Sequence, residues 1–177
     1  MAASDFTPST DQLLRNNGGF ADAFTDQHLA VAPRRHLAVV ACMDSRMDMF
    51  RMLGLEHGDA HIIRNAGGTV TDDVVRSLAL SQRKLATREI IVIQHTECGL
   101  LRLDEREFKA TIEAETGVRP SWALEAFSDV HANVRQSLAR LQLSPFLPHK
   151  EHVRGFVYDV HTGRLDEVDP DPRHATA

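Results

Sequence analysis

Several features are scarce in this chain of 177 residues, and each scarcity excludes a class of protein. No apolar run approaches the roughly 20 residues that a membrane-spanning helix requires. Positive charge is in deficit: 20 Lys and Arg stand against 25 Asp and Glu, a formal net charge of -5. That balance offers no basic footprint for nucleic acid and no polybasic patch for a membrane surface. Residues 1–6 have neither a positive n-region nor an apolar h-region, so no signal peptide is read there and a cytoplasmic protein is expected. Only two cysteines are present, Cys42 and Cys98. One disulfide, a pair of inert buried thiols, a metal site and a catalytic thiol all remain open. Without an export signal, metal binding or catalysis is favoured. No internal repeat or low-complexity segment is found. The length fits one domain, residues 1–177, with a sizeable core.

What is present is a pattern of apolar runs that end in chemistry. Leu37-Ala38-Val39-Val40-Ala41 has the length and β-branched content of a buried strand. At its end come Cys42, Asp44 and Arg46 at alternate positions. A second such run, Ile90-Ile91-Val92-Ile93, leads into His95-Thr96-Glu97-Cys98-Gly99. In parallel α/β sheets, ligands bind in the crevice beyond the carboxyl ends of the strands.

The rest of the chain supplies the connections. Residues 1–35 read as an N-terminal helical arm, opening near Thr10 and stopping near Asn16-Asn17-Gly18-Gly19. Strands are expected near 36–42, 60–65, 89–94 and 152–160. Asp44 or Ser45 is expected to cap a short helix that ends at Gly54. Thr71 caps a helix whose inner stripe holds Val74 and Leu78. Asp104 and Glu107 have capping-box spacing for a third helix, with Phe108 and Ile112 inward. A helix from Ser121 onward carries Val130, Val134, Leu138 and Leu141. Residues 165–168 suggest a short antiparallel edge strand, and 169–177 a disordered tail. The fold class is therefore α/β: a central, mostly parallel four-stranded sheet flanked by helices, with a fifth, antiparallel edge strand. Right-handed crossovers allow the first and third strands to be neighbours, which brings Cys42 near Cys98.

Cys42, His95 and Cys98 together are a zinc-type donor set of thiolate and imidazole. Three protein donors leave a fourth position open, the pattern of a catalytic rather than a structural site. His-x-x-Cys alone is a weak signal and Cys-x-Asp-x-Arg a moderate one. Both at the ends of apolar strands, with a glycine loop between them, make a strong one.

Three blocks, Cys42-Met43-Asp44-Ser45-Arg46, Arg64-Asn65-Ala66-Gly67 and His95-Thr96-Glu97-Cys98-Gly99, resemble the signature blocks of the β-class carbonic anhydrases. The similarity runs from about Leu37 to Val168 and is nearest the short archaeal and actinobacterial branch. Carbonyl sulfide and carbon disulfide hydrolases are built on the same scaffold. The resemblance implies Zn2+ held by Cys42, His95 and Cys98. It implies that Asp44 bonds the zinc-bound solvent or, in a closed state, takes the fourth position itself, while Arg46 pairs with Asp44 and holds it off the metal. Zinc-bound hydroxide would then attack carbon dioxide to give bicarbonate, or carbonyl sulfide in the alternative reading. Two thiolates donate more charge than imidazoles, so the solvent pKa is expected above the value of about 7 found in the most favourable zinc sites. The resemblance also implies a homodimer or homotetramer.

Departures from the family pattern matter. Many β-class enzymes have glycine where this chain has Glu97, whose carboxylate either relays protons or points to solvent; the second is favoured. No counterpart of the plant-type substrate-orienting glutamine is found, since Gln12 and Gln27 lie in unmatched sequence. His57, His61, His131, His149, His152 and His161 read as ordinary surface or half-buried histidines. Two other classes compete. A non-catalytic zinc- or anion-binding protein is opposed by the presence of both Asp44 and Arg46. A thiol redox protein is opposed by the lack of Cys-x-x-Cys.

Overall fold

The structure is a computed structural model, and it describes residues 7–171. The chain divides into two compact units, residues 1–30 and 31–177. The first contains helix α1 (Thr10–Asp22). It runs straight through Asn16-Asn17-Gly18-Gly19, where the sequence suggests a stop. Glycine and asparagine cost a helix up to about 1 kcal/mol each but do not forbid it. Leu13, Leu14, Phe20 and Phe24 of this unit are exposed, and the Phe20 and Phe24 rings pack at 5.6 Å.

The second unit is built on a five-stranded sheet in the order β2-β1-β3-β4-β5. Its strands are β1 (Leu37–Cys42), β2 (Ala60–Asn65), β3 (Glu89–His95), β4 (His152–Tyr158) and β5 (Leu165–Glu167). The first four are parallel and β5 is antiparallel to β4. Every residue of β1, the strand between β2 and β3, is buried. Its alternate side chains serve opposite faces, as a two-residue period requires. Ala38 and Val40 join a core with Val74 and Leu78 of α3 (Asp72–Leu85) and with Val134, Leu138 and Leu141 of α5 (Val130–Leu143). Leu37, Val39 and Ala41 face the other way, toward Met47, Leu100, Phe127 and Met49 of α2 (Met49–Leu53).

The helices correct the sequence reading in three further places. Asp48, not Asp44 or Ser45, caps α2 by accepting from Arg51 N; Asp44 is taken up by Arg46. Residues 121–128 are not helical. They are pinned to the 100–102 segment by a bridge between Leu101 and Phe127, and Asp129 caps α5 by accepting from His131 N and Ala132 N. Helix α4 (Glu105–Thr116) begins at the expected cap, Asp104, but buries no residue. Phe108 is exposed, so the expected inner face is not covered by the described residues. Thr71 and Gly54 cap where expected, and Gly117 closes α4. Of the tail, residues 172–177 lie outside the described residues, as do residues 1–6 of the arm.

Candidate metal centre

Strand order decides where the chemistry sits. β1 and β3 are adjacent and parallel, with Ala41 opposite Ile93, so their carboxyl ends emerge side by side. Cys42 is the last residue of β1 and His95 the last of β3. After His95 the chain must reverse within three residues to bring Cys98 over the same sheet edge. Glu97 makes that reversal in the left-handed region, at φ 56°, a conformation that costs a residue with a Cβ about 1–2 kcal/mol. Glycine is the residue that adopts it freely.

The result is a buried cluster in which one donor atom each from Cys42, His95 and Cys98 lie within 4.8 Å of one another. The two sulfurs are 4.0 Å apart and unbridged. Zinc–sulfur bonds of about 2.3 Å at a tetrahedral angle place two sulfurs about 3.8 Å apart. The imidazole is oriented by a 2.8 Å bond between Nδ1 and Thr96 O, where Nδ1–H donates and Nε2 is left with a lone pair. Nε2 is buried and has no hydrogen-bond partner among the described residues. An unsatisfied buried nitrogen is costly, and a cation held with the two sulfurs is the partner that this geometry suits.

The electrostatics separate the two thiols. Cys42 is drawn down to about 4, first by the hydrogen bond from Cys98, against burial, with His95 adding to the effect. The same sulfur contact, together with burial, pushes Cys98 up. Two thiols sharing one proton thus present a thiolate toward His95. Burial pulls His95 down, but its contact with Cys42 outweighs this and the net direction is up.

Asp44 stands at the open side of the cluster, its Oδ2 3.7 Å from His95 Nε2. Arg46 grips it with both prongs of the guanidinium, Nε to Oδ1 at 2.9 Å and Nη2 to Oδ2 at 2.8 Å, and its backbone N also donates to Oδ1. These bonds hold Asp44 well below the usual carboxylate range, with Arg46 the main cause. A carboxylate in that state only accepts hydrogen bonds.

The glycine block between the two motifs serves as a brace. Arg64 donates from Nε to Cys42 O at 2.9 Å and from Nη2 to Asp44 O at 2.6 Å. Gly68, at φ 63°, lets the loop press against β1: a Cβ there would lie 2.6 Å from Cys42 N. Beside this brace lies a cavity of about 550 Å³ whose lining includes Met43, Ala66, Leu100 and Trp122.

The structure therefore brings together all five residues singled out in the sequence: Cys42, Asp44, Arg46, His95 and Cys98. Two contacts escaped the sequence reading. One is the bracing by Arg64. The other is the pairing of Glu97, which is exposed to solvent as expected but also has Oε2 3.5 Å from Arg46 Nη1 and Oε1 2.9 Å from His161 Nε2. His161 is 64 residues away, so no local spacing could signal the pair. The left-handed turn forced on Glu97 by the His-x-x-Cys reversal is the one clue that the sequence held.

Comparison with known proteins agrees with this geometry. A family model described as carbonic anhydrase matches residues 37–165. Beta-carbonic anhydrase 1 of Mycobacterium tuberculosis is 52% identical over 161 residues, covering 91% of this chain and 98% of that protein. A carbon disulfide hydrolase of Saccharolobus solfataricus is 35% identical over 156 residues, covering 74% of this chain and 76% of its own. Among solved structures, the carbonic anhydrase of Streptococcus mutans superposes with a TM-score of 0.86 at 39% identity, covering 93% of this chain and 99% of the other.

Proposed function

The chain belongs to the β-carbonic anhydrase family, and on that premise we propose that it is a zinc enzyme that reversibly hydrates carbon dioxide to bicarbonate. The observation that carries the metal assignment is the partnerless Nε2 of His95 converging with two thiols. Cys42, His95 and Cys98 would hold the ion. When bound, zinc supplies Lewis acidity that makes water a competent nucleophile near neutral pH.

The remaining work falls to the chain. Asp44 is fixed as an acceptor by Arg46, so a hydroxyl beside it must point its hydrogen at Oδ1 or Oδ2. Its lone pairs are then free for the substrate carbon. Arg46 holds Asp44 back from the cluster, and Arg64 fixes the backbone of both Cys42 and Asp44. The cavity beside Ala66 and Leu100, with a largely apolar lining edged by Arg64, Asp73 and Glu125, offers room for a small apolar gas next to the brace.

Carbonyl sulfide or carbon disulfide hydrolysis is the second reading, favoured by the 35% identity to a carbon disulfide hydrolase. Carbon dioxide is put first in this proposal, supported by the 52% identity to beta-carbonic anhydrase 1 and its fuller coverage. Turnover of the three substrates by one zinc-replete preparation separates the readings. Carbon dioxide hydration far outpacing sulfide release supports the first, and the reverse supports the second.

A homodimer or homotetramer is part of the proposal, supported by the exposed Phe108 and Trp122 at the rim of the apolar cavity. A cytoplasmic location is proposed as well. A reducing compartment keeps two thiols 4.0 Å apart unoxidised, and no helix among the described residues is long and apolar enough to cross a membrane.

A further inference from the structure

Each hydration turnover releases one proton. A C–O bond forms to carbon dioxide, an O–H bond of water breaks, bicarbonate leaves, and the proton must reach a base in bulk solvent. The line of charged side chains leading outward from the cluster runs Asp44, Arg46, Glu97, His161. Three of its four members are poor proton carriers near neutrality. Arg46 stays charged. Asp44 is gripped by both prongs of Arg46, and the Glu97 carboxylate is held between Arg46 and His161. Imidazole is the side chain that changes charge in this range.

We propose that His161, held against Glu97 on the turn between β4 and β5, carries protons between the Cys42–His95–Cys98 centre and the surrounding buffer. This rests on the carbonic anhydrase reading above. Three features of the geometry support it.

The first is that the turn is built to hold His161 in place. Asp159 accepts at Oδ1 from the backbone N of both His161 and Thr162, and Gly163 N donates to Asp159 O. The turn is tied to the loop that bears Glu97: Val160 N donates to Thr96 Oγ1 and Thr96 N to Tyr158 O. His161 therefore faces Glu97 through a braced frame, although it is itself exposed to solvent.

The second is the strain at Glu97. A left-handed non-glycine residue persists where its surroundings compensate for it. Here the compensation is made by the side chain and carbonyl of Glu97 itself. Its carboxylate meets Arg46 and His161, and its backbone O accepts from Arg46 Nη2 at 3.2 Å. A glycine would relieve the turn but could not hold His161.

The third is space. A polar cavity of about 370 Å³ runs from Arg46 past Arg51 and Tyr158 to Gly163, on the turn that carries His161. It is separate from the apolar cavity at Ala66 and Leu100. Arg46, Glu97 and His161 are all exposed, so solvent along their line can carry a proton from the Asp44–Arg46 side to the imidazole. With Nε2 bonded to Glu97, Nδ1 is the atom that takes the proton up and releases it to buffer. Glu97 remains a carboxylate throughout. Of the groups that face His161, Glu97 and Asp159 raise its proton affinity and Arg46 lowers it, with Glu97 dominant and the net direction up. His61, by contrast, bonds Ser81, and His149 lies beside Arg88, both away from this line.

The test compares zinc-replete wild type with His161→Ala and Glu97→Gln, using carbon dioxide as substrate and buffers that contain no imidazole. Proton export enters kcat and not kcat/KM. In dilute buffer kcat of His161→Ala should fall about tenfold, less than the ~100-fold minimum for a positioned acid or base, because buffer reaches this exposed site directly. The ratio kcat/KM should hold, and added imidazole should restore kcat. Independently of turnover, an NMR titration of the His161 ring should show a midpoint above the ordinary value of about 6.5, falling toward it in Glu97→Gln. A His161→Ala kcat equal to wild type at every buffer concentration overturns the proposal while leaving the enzyme assignment intact. So does a ring titration that ignores Glu97→Gln. A wild type that does not hydrate carbon dioxide at all overturns both.

Discussion

The chemistry of this chain is decided by which single atoms are left without partners and which are gripped by two. His95 Nε2 is the first kind and Asp44 the second. Replacing Cys42, His95 or Cys98 by Ala should each remove both metal retention and activity. A metal assay after gel filtration in a mild chelator checks the first loss, and stopped-flow the second. Asp44→Ala should keep its zinc and lose most of its turnover; a fully active Asp44→Ala protein would refute the orienting role. Acid stability is also set residue by residue. Asp59 is held below its ordinary pKa, first by the backbone N of Glu56 and then by Arg35 and Arg34. A depressed carboxylate contributes stability that is complete above its unfolded pKa of about 3.9 and lost as pH falls through the lower folded value. The advantage of wild type over Asp59→Asn in urea midpoint should therefore be full at pH 7 and shrink as pH drops below about 4.

At the scale of elements, the site depends on close approach between loops and strand ends. Gly68 is the sharpest case. A methyl group there meets Cys42 N at 2.6 Å and Ile93 O at 2.9 Å, at a φ of 63°. Gly68→Ala should destabilise the fold by about 2 kcal/mol or more, since left-handed strain alone costs roughly 1–2. It should also weaken metal retention, because the atom displaced belongs to Cys42; urea melts and zinc stoichiometry read the two effects. Gly155 is similar: a Cβ would meet Val134 Cγ1 of α5 at 2.5 Å. Strands were legible in the sequence because burial on both faces leaves continuous apolar runs, as in β1. Caps were legible where the acceptor had no other task, as at Thr71 and Asp104. They were misread where it did: Asp44 looked like a cap but is bound to Arg46, and Asp48 took its place. The stretch before Val130 looked helical because its tertiary bridge, Leu101 to Phe127, leaves no periodic mark.

For the whole molecule, sheet order converts two distant motifs into one centre. The pairing of β1 with β3 was one that right-handed crossovers allow but do not require. The Arg64 brace and the Glu97–His161 pair were not legible in the sequence, since both join segments that only the finished fold brings together. The apolar surface around Phe108 and Trp122 bears on assembly. In solution the protein should run at two or four times its chain mass by light scattering. Trp122→Glu should shift it toward monomer, and a monomeric wild type would contradict the proposed oligomer. Trp122 is the sole tryptophan, so its emission should move to the red when the assembly is diluted apart.

The central claim is that Cys42, His95 and Cys98 hold a zinc ion that hydrates carbon dioxide. The direct measurement is stopped-flow hydration at mildly alkaline pH by protein stripped of metal and then reloaded with one equivalent of zinc. Turnover far above the buffer rate in the reloaded protein, and none in the stripped protein, is the predicted result. A fully zinc-loaded protein that hydrates carbon dioxide no faster than buffer would contradict it.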